Sequence, residues 1–468
     1  MQIKLNFFGA AKNVTGSCYF LEANGVRLLV DCGLYQERGL KSRNWADFPV
    51  PAHTIDAVLL THAHLDHCGR LPKLVKEGFD GAIYATSATA EIANIIMQDS
   101  AHIQEEDIKH KQRRHEKSGK KSPFPYEPLY TMEDAQKAGS MFRKATYKTP
   151  ISIGTGITAE FREAGHVFGS SSIRIVVEQG GESRSIVFSG DVGRWNLPIM
   201  RDPDQFENAD YVLIESTYGD RVHGEVADIP GELERIINET VTAGGNVVIP
   251  SFALERTQEL LYHLNGLLKE GRIPLLPVFV DSPMAIKVTE VFKKHPELYD
   301  DETVAQLQAG DEPCNFPKLT MSRSVDQSKS IAKVKGSAII IAGSGMCTGG
   351  RIKHHLKSNM GRPESTILFV GYQAFGTLGR RILEKPDTIR LFGEEHALRA
   401  RIERISGFSA HADRNELYHW ISSIKKPPRN VFVTHGEEKQ ALAFGKFLNE
   451  KTGWSYMVPN YEQEVMLD

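Results

Sequence analysis

Four side chains able to bind a metal stand within six residues, because Thr61-His62-Ala63-His64-Leu65-Asp66-His67 follows directly on the apolar run Ala57-Val58-Leu59-Leu60. Imidazole nitrogens and carboxylate oxygens are donors that zinc accepts in catalytic sites. Alternating along an extended segment, His62 and His64 can face one ion, while Asp66 and His67 can turn toward a second as a helix begins. Two neighbouring ions imply hydrolysis. A phosphate ester is the substrate class they suit, since paired cations stabilise both the attacking and the leaving oxygen.

Such donors need rigid supports, and the chain supplies one pattern seven times: a strand-like apolar run ending in a polar residue, usually with glycine close by. The runs are Arg27 to Asp31, Ala57 to His62, Ala159 to His166, Ser185 to Asp191, Tyr211 to Glu215, Arg404 to His411 and Val431 to His435. Strands give stiffness and the loops that follow give the chemical groups, so these donors are expected at one edge of stacked sheets.

Between Glu215 and His411 the pattern changes. Apolar strands at Asn246 to Ile249, Leu275 to Val280, Ala338 to Ala342 and Ile367 to Val370 alternate with helical patterns such as Glu255 to Leu268 and Pro283 to Lys294. This predicts an inserted α/β domain with a parallel sheet. The expected organisation is a first domain in two parts, residues 1–218 and 401–468, interrupted by residues 219–400.

Composition sets the outer limits. At 468 residues two or three domains are expected, and 41% hydrophobic residues suffice for sizeable cores. No apolar run approaches the roughly 18 residues that suggest a membrane span. The N-terminal residues Met1 to Phe8 alternate like a strand and lack the basic and apolar regions of a signal peptide, so a cytoplasmic location is expected. Five scattered cysteines, Cys18, Cys32, Cys68, Cys314 and Cys347, have no Cys-x-x-Cys spacing and predict reduced thiols. Cys32 and Cys68 neighbour site candidates, but small packed side chains are the favoured reading. A net charge of -3 gives no whole-chain footprint for nucleic acid, although carboxylates around metals would mask a basic groove elsewhere.

The segment Ile341-Ala342-Gly343-Ser344-Gly345-Met346-Cys347-Thr348-Gly349-Gly350-Arg351 reads as a strand end, a glycine-rich turn and a helix starting near Arg351. Glycines let backbone N–H groups approach a phosphate. The segment has neither a Gly-Lys-Ser/Thr ending nor a Gly-x-Gly-x-x-Gly pattern, which argues against ATP. A cradle for a phosphate, using Ser344, Gly345, Met346, Gly349, Gly350 and Arg351, stands beside a purely structural turn. Arg256, Arg351, Lys353, Arg380 and Arg381 near helix starts are either phosphate contacts or plain surface charges. Phe252, Tyr218, Tyr372 and Phe375 are either base-stacking or packing residues. The basic run from Lys109 to Lys121 is a solvated helix end or an RNA-contacting surface.

His62, His64, Asp66 and His67 match the His-x-His-x-Asp-His signature, and the chain here resembles the metallo-β-lactamase superfamily. Glu215 in Glu-Ser-Thr-Tyr-Gly, His411 in Gly-Phe-Ser-Ala-His-Ala-Asp and His435 in Thr-His-Gly-Glu are similar to the three further motifs of the β-CASP nucleases. His435 points to the RNA-processing branch, because DNA-repair members generally carry an apolar residue there. That branch includes the endonuclease subunit of the cleavage and polyadenylation specificity factor and stand-alone prokaryotic relatives.

The resemblance implies an α/β fold, a metallo-β-lactamase αββα sandwich with an inserted α/β β-CASP domain. It implies two Zn2+ ions: His62, His64, His166 and Asp191 holding one, and Asp66, His67, Asp191 and His435 the other. Asp31 would support the ligand histidines by hydrogen bonds. Glu215 and His411 would sit beside the scissile phosphate, the histidine giving a proton and the carboxylate orienting it. The implied activity is zinc-dependent hydrolysis of single-stranded RNA by two-metal hydroxide attack, endonucleolytic and also 5'-to-3' exonucleolytic, leaving 5'-phosphate and 3'-hydroxyl ends.

Two other readings stand beside this one, a hydrolase of a small thioester or lactam and a non-catalytic RNA-processing subunit. The inserted domain and the Glu215 and His411 pair argue against the first, and the intact ligand set against the second. A homodimer is compatible with the sequence but no residue specifies it. No added RNA-binding domain is expected at either end. The eleven histidines outside these motifs, His53, His354, His355 and His396 among them, are assigned no metal role.

Overall fold

The computed structural model describes residues 2–118, 126–223 and 228–468. The chain forms two compact units, Met1–Val222 with Ala410–Asp468, and His223–Ser409. The strand Arg401–Arg404, expected in the first domain, pairs in parallel with Thr366–Phe369 and so closes the edge of the second unit's sheet.

In the first unit two seven-stranded sheets face each other. Leu28, Val30 and Leu59 from one sheet pack with Phe161, Ile173, Phe188 and Leu213 from the other in a shared core. Strand side chains alternate, so Leu29, Val58 and Ile83, fully buried as well, point to the opposite face of their sheet. The helices Leu71–Lys76, Ser87–Ser118 and Met132–Ser140 pack together in this part of the unit. Outside the second sheet, Leu417 and Trp420 of the helix Arg414–Ile421 and Phe444 and Leu448 of Glu438–Thr452 pack on Val187, Val212 and Val433. Each large apolar side chain so buried contributes about 1.5–3 kcal/mol. Both helix-covered faces explain why the central strands read as continuous apolar runs.

The second unit is built on a six-stranded sheet with every pairing parallel. Its order is Leu319–Met321, Val278–Asp281, Ile339–Ala342, Val247–Pro250, Thr366–Phe369, Arg401–Arg404. Helices cover both faces: Leu260, Leu264 and Ile286 on one, Ile352, Leu356 and Ile382 on the other. The helix Pro283–Lys294 starts as its sequence predicts, with Pro283 in the first turn and the Ser282 side chain accepting from the Ala285 N–H.

Among the described residues no helix is long and apolar enough to cross a membrane. The basic run occupies the end of the helix Ser87–Ser118, and its last residues, 119–121, lie outside the described ones.

Candidate metal centre

Both sheets of the first unit deliver polar residues from strand ends. Asp31 follows Val26–Val30, His62 follows Ala57–Leu59, His166 follows Ile157–Glu163, Asp191 follows Glu182–Phe188, Glu215 follows Tyr211–Ile214, and His435 follows Asn430–Val433. Asp66 and His67 lie in the short helix Leu65–Cys68. Asp31 and His435 adopt left-handed backbone conformations, with φ of 61° and 47°, so the chain turns sharply as it leaves each strand.

His411 arrives differently. The strand before it ends at Arg404 in the other unit's sheet, and the run from Arg404 to His411 is not one extended element. His411 instead pairs as an isolated bridge with Gly193, Ala412 donates its N–H to the Val192 carbonyl at 2.8 Å, and Asp413 caps the next helix. A Cβ on Gly193 would come within 1.8 Å of the Gly165 carbonyl oxygen, so only glycine lets residue 193 lie against the backbone that leads into His166.

The donor atoms fall into convergent sets. His62, His64, His166 and Asp191 form one, with all four donor atoms within 4.8 Å of each other; Asp66, His67 and His435 form a second, and Asp191, Glu215 and His435 a third. Within the first set His62 Nε2 lies 3.1 Å from His64 Nδ1, which lies 3.2 Å from His166 Nε2. Asp191 Oδ2 is 3.5 Å from His62 Nε2 and 3.4 Å from His166 Nε2. Ligands about 2.0–2.1 Å from a tetrahedral zinc stand ~3.3 Å apart, so these separations fit a common cation. His67 Nε2 and His435 Nε2 are 3.1 Å apart, and Asp66 Oδ2 is 3.7 Å from the latter.

Asp191 touches both groups. Its Oδ1 lies 3.4 Å from His67 Nε2, is buried, and accepts no hydrogen bond among the described residues. A buried carboxylate oxygen left so calls for a cation. On four of the five rings the other nitrogen is engaged in a way that frees the inward one. His62 Nδ1 contacts Thr61 Oγ1 at 3.1 Å, His166 Nδ1 faces the Ala410 carbonyl at 3.4 Å, and His435 Nδ1 contacts Thr217 Oγ1 at 3.2 Å. His67 Nδ1 donates to Asp31 Oδ2 at 2.7 Å, and Asp31 is fixed by the Thr61 N–H at 2.8 Å. Such partners set the tautomer that presents a lone pair.

Charge follows the same division. Burial and neighbouring imidazoles hold His62 and His166 well below the usual histidine range and bring His64 to about 4, leaving neutral rings able to bind metal. For His67 burial opposes the charge, but Asp191 and Asp31 prevail and raise it well above that range. Asp191, despite its burial, is held well below ordinary carboxylates by His435, His67 and His62. The site thus gathers carboxylates whose charge a cation would balance.

Beside these sets, Glu215 Oε1 lies 3.2 Å from His411 Nδ1 and accepts from the Val192 N–H at 2.8 Å. Burial disfavours the His411 imidazolium, but the Glu215 charge and hydrogen bond outweigh it, with Asp191 and Asp66 adding, and push His411 up to about 9. Tyr218 packs edge-on to this ring, 6.0 Å between centroids. The supporting roles of Thr61 and Thr217 carried no separate sequence signal, though Thr61-His62 and Thr434-His435 repeat one dipeptide. No convergent set contains a cysteine among the described residues, and Cys68 Sγ contacts the Ala63 carbonyl at 3.3 Å.

The glycine-rich segment lies in the second unit, after the strand Ile339–Ala342. Ser344 Oγ accepts from the Thr348 N–H at 3.1 Å. Arg351 turns inward: its guanidinium donates to Asp281 Oδ1 at 2.8 Å and to the Ser322 and Arg323 carbonyls at 2.9 and 3.1 Å. Arg256 is buried, bonded to Glu259 Oε2 at 2.7 Å and stacked over Phe408.

Family models match in three stretches: the metallo-beta-lactamase superfamily over residues 12–212, the Beta-Casp domain over 257–382, and the Zn-dependent metallo-hydrolase RNA specificity domain over 395–459. The chain is 39% identical over 441 residues to ribonuclease TTHA0252 of Thermus thermophilus, covering 94% of this chain and 95% of that protein. It is 30% identical over 455 residues to transcription termination factor FttA of Methanocaldococcus jannaschii, covering 94% and 68% respectively. A crystal structure of a protein of unknown function from Enterococcus faecalis V583 covers 100% of both chains with a TM-score of 0.56 and 12% identity, a likeness of fold alone. From the paired sheets, the inserted parallel-sheet unit, the convergent donors and these matches, the chain belongs to the β-CASP group of the metallo-β-lactamase superfamily.

Proposed function

We propose that the protein is a metal-dependent ribonuclease that hydrolyses phosphodiester bonds of single-stranded RNA with two zinc ions. The observation that carries this reading is the meeting of two imidazole sets at the one carboxylate of Asp191, beside the Glu215 and His411 pair. His62, His64, His166 and Asp191 would hold one ion, and Asp66, His67, Asp191 and His435 the other. The names of the relatives, a ribonuclease and a transcription termination factor, support RNA as the substrate. The first unit would be the metallo-β-lactamase domain and the second the β-CASP domain.

When bound, the ions supply an activated water near neutral pH and offset charge on the non-bridging phosphate oxygens. The protein's own groups do the rest. Asp31 and Thr61 hold His67 and His62 in orientation, which limits reorganisation during the reaction. Glu215 fixes His411 through Nδ1 and keeps it charged. The proton passed to the departing 3'-oxygen therefore comes from Nε2, as the P–O3' bond breaks and water's oxygen becomes part of the 5'-phosphate. Ser344 to Gly350 would cradle a backbone phosphate, with Arg351 bracing that loop from behind through Asp281.

Incubation with 5'-labelled and 3'-labelled RNA, with matched DNA and a β-lactam as controls, tests the reading. RNA fragments ending in 5'-phosphate and 3'-hydroxyl, lost on chelation and restored by zinc, are expected. Hydrolysis of the lactam with RNA left intact would sink it.

A further inference from the structure

The second unit carries aromatic rings where a folded protein has no packing reason to leave them. Phe375 is 93% exposed, Tyr372 60% and Phe252 39%. They occupy two loops that, with the glycine-rich segment, follow three adjacent strands of the parallel sheet. Phe252 follows Val247–Pro250, the glycine-rich segment follows Ile339–Ala342, and Tyr372 and Phe375 follow Thr366–Phe369. Loops at the carboxyl ends of parallel strands are where open α/β sheets bind ligands.

The three loops are knitted into one surface. Gln373 Nε2 donates to the Gly345 carbonyl at 2.9 Å and the Gly379 N–H donates to the Met346 carbonyl at 3.1 Å. Phe252 packs against two glycines, since a Cβ at Gly345 would stand 2.8 Å from its ring carbons and one at Gly371 3.3 Å. Of the cations in these loops, Arg351 is engaged by Asp281 and Arg380 by Glu384 at 3.1 Å, while Lys353 and the exposed Arg381 make no ion pair with a carboxylate among the described residues. Exposed π-faces beside cations suit an anionic polymer bearing flat bases, because stacking gains the base and the cations gain the phosphates.

We propose that Phe252, Tyr372 and Phe375 form a base-stacking platform for single-stranded RNA on the second unit. This rests on the ribonuclease reading and assigns part of its substrate grip to bases as well as phosphates. The platform ignores sequence, because every base offers a π-face.

The test measures binding by the full-length chain carrying His67→Ala to prevent cleavage. Its probes are a fluorescent 12-residue oligoadenylate and a strand of equal length whose central residues are abasic. Phe375→Ala and Tyr372→Ala should each weaken the oligoadenylate about 5-fold or more, the range of one lost base–aromatic stack, and leave the abasic strand unchanged. Phe375→Trp should restore binding. Both side chains are exposed, so folding is not at risk. Equal affinity for oligoadenylate before and after substitution overturns the platform, as does equal weakening of both strands. A dimer that dissociates on Phe375→Ala would assign the rings to a second copy and overturn it too. If RNA is cleaved by the unaltered protein but the substitutions do nothing, only the platform fails; if neither strand binds the parent chain, the ribonuclease reading falls with it.

Discussion

Asp191 and Asp281 are both buried aspartates at strand ends with histidine close by, one in each unit. Asp281 is saturated: His355 Nε2 at 2.6 Å, Ser328 Oγ at 2.5 Å and Arg351 Nη1 at 2.8 Å all donate to it. Asp191 stands among imidazole nitrogens at 3.4 to 3.5 Å, too far for good hydrogen bonds, with one oxygen accepting none. Both carboxyls sit below the ordinary range although burial pushes each up; His355, Ser328 and Arg351 lower Asp281, while His435, His67 and His62 lower Asp191. A carboxylate that the protein satisfies is a tether. One that it surrounds with donors and leaves unmet is a ligand in waiting.

The sharpest way to break this contrast is Asp191→Asn. Activity on RNA should fall by about 10^4-fold or more with loss of bound zinc, measured by mass spectrometry, because both ions would lose a shared ligand. Retained zinc and activity would erase the distinction. His411→Ala should slow turnover by about 10^2 to 10^4-fold while both ions stay, as expected of a proton donor. Loss of one ion instead would mean that His411 and His435 had been given each other's roles. Its charged form is needed, so activity should decline as pH rises through about 9, and Glu215→Gln should move that limb to lower pH by removing the group that chiefly raises the imidazole.

Asp281→Asn should leave zinc content alone and lower stability by about 3 kcal/mol, the cost of breaking a buried ion pair, read by denaturant unfolding. Unfolding unchanged by this substitution would show that Asp281 tethers nothing. Glu163 is a third kind of buried carboxyl, and its effect is read in the pH dependence of stability. Burial, against the Gly165 N–H and Tyr147, pushes it up to about 8 from its ordinary 4.5, so the folded state holds a proton there that the unfolded chain has released. Stability should therefore fall as pH rises from about 4.5 to about 8, by at most about 1.4 kcal/mol per pH unit, and stay level outside that window. Glu163→Gln should flatten the slope in denaturation curves taken across it.

Much of the first unit was legible in the sequence because strand ends and donor residues are local features. The run from Arg404 to His411 shows where locality misleads. Ile405 and Phe408 made it look like one strand, yet Ile405 and Phe408 bury in the second unit's core while His411 belongs to the first. Arg351 is similar. Its position at a helix start suggested phosphate binding, but Asp281, seventy residues earlier, turns it inward. For Phe252, Tyr372 and Phe375 the sequence left stacking and packing open, and exposure distinguished them from Tyr218, which is half-buried against His411.

Residue type, order and alternation alone determined which donors exist and that each follows a strand, since side-chain chemistry and the two-residue period are properties of short segments. Only the tertiary structure decided that His67 and His435 meet across 368 residues, that Asp191 faces both sets, and that Asp31 grips His67. Those outcomes are distances between remote parts of the chain, fixed by how two sheets pack, and no local pattern encodes them.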